Sequence, residues 1–66
     1  MISNYLKKYF KENGITQQEV SDRTGIERPK VNLSLNGKRK LTADELIKIA
    51  IAFDLDLNKI KRSNNI

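Results

Sequence analysis

Apolar residues recur along the chain at three- and four-residue intervals, the spacing of one helix face. In the first segment Ile2, Tyr5, Leu6, Tyr9 and Phe10 form such a stripe, and Lys7, Lys8, Lys11 and Glu12 fill the opposite side. Asn13-Gly14 ends it. Thr16 opens a second helix with Glu19 three residues on, the spacing of a capping box. Val20 is the apolar anchor of that helix, Ser21 is a small inward residue, and Gly25 ends it. A third helix is predicted from about Glu27 to Leu35. Pro29 falls in its first turn, where no intrahelical donor is lost. Val31 and Leu35 share its inner face and Leu33 lies off it. Asn36-Gly37 closes it, and the basic loop Lys38-Arg39-Lys40 follows. Thr42 and Glu45 set a second capping box, ahead of an inward stripe of Leu46, Ile49, Ala50 and Phe53. Asp56 is placed to cap a last short helix carrying Leu57 and Ile60, and residues 61–66, without periodicity, are expected to fray. Val31 to Leu35 alternates apolar and polar, but a helix-start Pro precedes it and it stands alone, so no strand is expected. The fold expected is all-α, one domain over residues 1–66, a compact bundle of four to five short helices.

Composition narrows the chemistry. With no Cys and no His in 66 residues, disulfides and the usual zinc sites are excluded. Nucleophilic catalysis by Cys, or by Ser with His, is excluded with them. No constellation suggests an enzyme, a metal or a cofactor, and there is no Gly-rich phosphate cradle. No apolar run reaches a membrane span. The N-terminus lacks a signal-peptide stretch, so a cytoplasmic location is expected. Thirteen Lys and Arg against 8 Asp and Glu give a net charge of +5, a surplus that favours a polyanionic partner. The surplus is not confined to one half of the chain. It gathers locally at Lys7-Lys8, Lys38-Arg39-Lys40 and Lys61-Arg62.

The segment from Gln17 to Asn36, QQEVSDRTGIERPKVNLSLN, resembles the helix-turn-helix of Cro and phage repressors. Ser21 stands where the two helices approach, Gly25 stands at the turn, and Ile26 and Val31 stand at the contacts that fix their angle. Asn36 to Thr42 and Glu45 to Ala50 are similar to the family as well, so the resemblance runs from about Leu6 to Ile60. It departs from the family pattern at several places. Thr24 and Ser34 are polar where apolar residues are usual, and Glu27 replaces the usual Ser or Thr cap. Phe10 and Leu35 stand where many relatives carry an Arg–Glu pair. The last two changes agree with each other, because packed apolar groups can replace a buried ion pair without loss of stability.

The resemblance implies a lambda-repressor-like DNA-binding domain that acts as a transcriptional regulator, of a phage, prophage or bacterium, on a double-stranded operator. Its second motif helix enters the major groove. Arg28 is then the strongest base reader, since its fork matches both acceptors of guanine. Asn32 and Leu33 lie one turn on, Leu33 suited to a thymine methyl. Glu27 either accepts from a cytosine amine or repels phosphate. Pro29 only packs. Thr16, Gln17, Lys30, Asn36, Lys38, Arg39 and Lys40 are the expected phosphate contacts. Other readings stand beside these. A run such as Lys38-Arg39-Lys40 is elsewhere a solvated loop, and Arg28 elsewhere a surface residue paired with a carboxylate. Lys7, Lys8 and Lys11 are read as the solvent face of the first helix. Ile47 and Ile51 do not share the inward stripe of the fourth helix. Either a second copy covers them, giving a homodimer through the C-terminal helices, or they pack within the chain. Glu27, Pro29 and Leu33 also suit an alternative, a protein-interaction module on the same fold, such as an antirepressor or antitoxin component.

Overall fold

The computed structural model describes residues 2–56 and Asn58. Within them the chain forms α1 (Ile2–Glu12), α2 (Gln17–Thr24), α3 (Arg28–Leu35) and α4 (Ala43–Phe53). No strand occurs among the described residues. The Ile2 side chain, Leu57, Ile60 and residues 61–66 lie outside what is described, and with them most of the expected last helix. Asp56 does make the bond of a cap: its Oδ1 accepts from the Asn58 N–H at 2.8 Å.

The helix ends explain why the elements stop where they do. After α1, the Ile15 N–H donates to Phe10 O at 2.8 Å and the Gly14 N–H to Lys11 O at 3.3 Å. After α3, Lys38 donates to Leu33 O at 2.9 Å and Gly37 to Ser34 O at 3.2 Å. After α4, Leu55 donates to Ala50 O at 2.9 Å and Asp54 to Ile51 O at 3.4 Å. Each is the paired closure of a Schellman motif, which satisfies otherwise orphaned carbonyls. The residue at the bend has positive φ in each case, and after α4 it is Asp54 at φ 53°. Aspartate tolerates that region better than most side chains.

The starts are less uniform. At α4 the capping box is complete: Thr42 Oγ1 accepts from the Glu45 N–H at 3.1 Å, and Glu45 Oε1 from the Thr42 N–H at 3.0 Å. At α2 only half of the expected box forms. Thr16 Oγ1 accepts from the Glu19 N–H at 3.1 Å, but the Glu19 carboxylate turns to Arg23 at 3.3 Å, one turn on. The pair one turn along the helix competes with the cap for the same carboxylate. Helix α3 begins at Arg28, one residue later than expected. Glu27 is its N-terminal flanking residue and makes no side-chain cap.

The core gathers one side of every helix. Leu6, Phe10, Val20, Ile26, Val31, Leu35, Ile49 and Phe53 are buried together. Phe10 and Phe53 meet at 5.1 Å between ring centroids, a distance at which tilted rings attract. Phe10 and Leu35 are both buried, as expected of apolar residues in place of an ion pair. Helix α2 packs on α3 and on α4, and α1 packs on α3. The motif therefore rests on the other two helices, which hold α3 with its outer row exposed. No described helix is long and apolar enough to cross a membrane.

Candidate nucleic-acid interface

The turn between α2 and α3 is built from three local devices. Gly25 adopts φ 77° and donates its N–H to Ser21 O, a left-handed closure that is cheap only for glycine. Ser21 Oγ then donates to Ile26 O at 2.6 Å. Thr24 Oγ1 donates to Val20 O at 2.6 Å and accepts from the Ile26 N–H at 3.2 Å. Thr24 and Ser21 thus tie the end of one helix to the approach of the next. The polar Thr24 leaves no loose end, because both of its hydroxyl functions are used. Ile26 is buried and pins the turn to the core.

On α3, Val31, Ser34 and Leu35 face inward. Arg28, Pro29, Lys30, Asn32 and Leu33 are exposed on the other side. Arg28 and Asn32, four residues apart, share one row, and both touch α2. Arg28 Nη1 donates to Gln18 Oε1 at 3.3 Å, and Gln18 Nε2 donates to Asp22 Oδ1 at 2.9 Å. Asn32 Nδ2 donates to Gln17 Oε1 at 3.1 Å. Two predicted readers are therefore held against the start of α2, where Thr16 and Gln17 lie. Glu27 and Lys30 form a loose surface pair, 3.8 Å apart.

A second cluster lies at the other end of α3. Asn36 Nδ2 donates to Asn32 O at 2.9 Å, and Asn36 Oδ1 accepts from Lys7 Nζ at 3.3 Å. Lys38 and Lys40 are exposed in the following loop. Lys7, read from the sequence as mere solvent face, thus reaches the cap of α3. Gln18 was also missed. Both contacts join segments distant in sequence, and local spacing carries no signal for them.

Arg39 is placed differently from its neighbours. Its guanidinium turns inward and grips Glu45 with both arms, Nη1 to Oε1 at 2.9 Å and Nη2 to Oε2 at 2.9 Å. Nη1 also donates to Ser34 Oγ at 3.0 Å. The Arg39 and Glu45 side chains are only 25% and 15% exposed. The Arg39 hydrogen bonds, followed by the Thr42 backbone N–H, hold the Glu45 carboxyl down to about 2. The same hydrogen bonding raises Arg39 further above its ordinary range. Ser34 is 1% exposed, and Arg39 is the donor that satisfies it. Of the expected phosphate contacts Lys38, Arg39 and Lys40, the middle residue is thus paired with a carboxylate of the same chain. A polar residue on the inward face beside Val31 and Leu35 was the signal available, since buried hydroxyls require partners.

Two polar or basic clusters, exposed but for the half-buried Gln17, thus flank one exposed helix row. The first is Thr16–Gln17 at the start of α2, and the second is Asn36, Lys38 and Lys40 with Lys7 beside them. Comparison with known proteins bears on the family of the chain. The family model for the helix-turn-helix matches residues 6–60. No curated protein and no solved structure matches the chain. The family match spans most of the sequence, and the chain belongs to the helix-turn-helix family, whose domains are of the DNA-binding, transcription-regulator type.

Proposed function

We propose that the protein is a sequence-specific, double-stranded-DNA-binding transcriptional regulator of the Cro and repressor type, with α3 in the major groove. The observation that carries this is the exposed row of α3 lying between two phosphate-suited clusters. Phosphate contacts set register and base contacts set sequence. Thr16 and Gln17, at a helix N-terminus with its free N–H groups, take one backbone. Asn36, Lys38 and Lys40 take the other. Lys30 lies to the side and is suited to phosphate rather than base.

Arg28 reads guanine through O6 and N7. Asn32, whose amide nitrogen is held by Gln17, offers its carbonyl oxygen to an adenine or cytosine amine. Leu33 is 42% exposed and meets a thymine methyl. Glu27 accepts from a cytosine amine or excludes sequences that bring phosphate near it. Ile47 and Ile51 are 47% and 77% exposed, and we extend the proposal to a homodimer that covers them and reads a two-fold site. The same exposure is what favours the second reading, a module whose partner is another protein.

Selection from a random duplex pool, with the winners titrated against salt, tests the proposal. The expected result is an enriched inverted repeat, its half-sites about one helical turn apart. Binding without an enriched sequence would leave only a non-specific binder. No binding at low salt would overturn the DNA reading and favour the protein partner.

A further inference from the structure

The loop after α3 carries the exposed cations Lys38 and Lys40, with Arg39 between them. No backbone–backbone hydrogen bond joins residues 39–41 to the described remainder of the chain. Two side chains do that work instead. Leu41 packs against the core. Arg39 reaches back five residues to Ser34 on α3 and forward six to Glu45 on α4. Glu45 is in turn fixed by the capping box of α4. One guanidinium therefore joins the inner face of the reading helix, the basic loop and the first turn of the next helix. Arg39 and Glu45 cancel in net charge, so the pair adds little to the long-range field that a phosphate meets.

We infer that Arg39, clasped by Glu45 and Ser34, is a positioning residue for DNA binding, which fixes Lys38 and Lys40 relative to α3 without itself contacting phosphate. The inference rests on the DNA-binding reading above. A planar fork matched to a carboxylate loses its geometry when lysine replaces it, although the charge remains. Phosphate, by contrast, is served by either cation. Removing the Glu45 charge makes opposite demands on the two accounts. If Arg39 contacts phosphate, freeing it adds a positive charge toward DNA and binding tightens. If Arg39 positions the loop, loosening the clasp weakens binding despite the added charge.

The experiment compares the wild type with Arg39→Lys, Glu45→Gln and Arg39→Gln on the duplex selected from the pool. Affinity is measured over a salt series at 10 °C, with circular dichroism confirming that each protein is folded. A glutamine in place of Glu45 still serves the capping box, so Glu45→Gln keeps the helix start. Ile49→Val, in the core of α4, is the control that lowers Tm without touching the clasp. Arg39→Lys and Glu45→Gln are each expected to lose about tenfold in affinity, within the coupling found inside one hydrogen-bond network. The slope of log K against log salt should not change for either, nor for Arg39→Gln. Ile49→Val should bind as the wild type does. The inference is overturned if Glu45→Gln binds as tightly as the wild type or tighter. It is equally overturned if Arg39→Lys is neutral, or if Arg39→Gln flattens the slope by the ~0.9 of a lost phosphate contact. Losses matched by Ile49→Val would reduce Arg39 to a purely structural role and overturn it too. A wild type that binds no duplex would fail at the earlier step, refuting the DNA reading and the inference together.

Discussion

Replacing Gly25 with alanine isolates the backbone cost of the motif's turn. The residue has φ 77°, and a Cβ built there has nothing within 4 Å. Steric overlap therefore contributes nothing, and only the left-handed backbone is penalised. That penalty is about 1–2 kcal/mol for an L-residue. Alanine also restricts the unfolded chain, an effect of up to about 1 kcal/mol that acts whatever the native φ and offsets part of the strain. The net loss should be about 1 kcal/mol. In a domain of this size that lowers Tm by roughly 4–8 °C. A chemically synthesised chain with D-alanine at position 25 provides the opposite sign. Its preferred φ is positive, so it should raise Tm by a few degrees. Thermal unfolding followed by circular dichroism at 222 nm measures both. Equal effects of the two enantiomers would refute the left-handed assignment. A loss above about 3 kcal/mol for the L-variant would refute the open space around the residue.

Other outcomes follow from the same structure. Arg28→Ala should lose about 1–3 kcal/mol on the preferred duplex and relax preference at one base pair, whereas an equal loss on every sequence in a binding assay would reduce Arg28 to a phosphate contact. Leu6→Ala, at a side chain that is 0% exposed, should cost about 2–5 kcal/mol, read as a fall in the urea midpoint, and an unchanged midpoint would contradict its central place. The Glu45 carboxyl is held down to about 2, below the ordinary value of about 4.3. A lowered folded-state value gives stability that is present above the ordinary value and lost as pH falls through the folded one. The Tm gap between wild type and Glu45→Gln should therefore be full above about pH 5 and close toward pH 2, and a gap constant across that range would show that the Glu45 charge contributes nothing.

The helices and their order were legible because each has a local signature. Stripes such as Tyr5-Leu6-Tyr9-Phe10 and Ile49-Ala50-Phe53 give the buried faces, and Thr42 with Glu45 gives a start that the structure reproduces atom for atom. Gly14, Gly25 and Gly37 mark ends through positive φ. Asp54 takes that conformation without being glycine, so the end of α4 carried no comparable mark. The half-formed box at Thr16 shows a different limit. Thr16 and Glu19 have the right spacing, but Arg23 takes the carboxylate, and spacing alone does not rank two partners. The exposed row Arg28, Asn32 and Leu33 could be read because exposure on α3 is the complement of Val31 and Leu35. Arg39 could not, because its neighbours in sequence are cations while its partners, Ser34 and Glu45, are brought to it by the fold. Ser34 was visible as an unusual polar residue on an inward face. What satisfies it depends on where the loop after α3 folds back, a tertiary fact.

The most direct test of the central claim is to map the DNA-contacting surface by amide chemical shifts as duplex is titrated into isotope-labelled protein. The account predicts the largest changes at Thr16 to Gln18, along Arg28 to Leu33, and from Asn36 to Lys40. Changes centred on Ile47 and Ile51, with α3 silent, would contradict it.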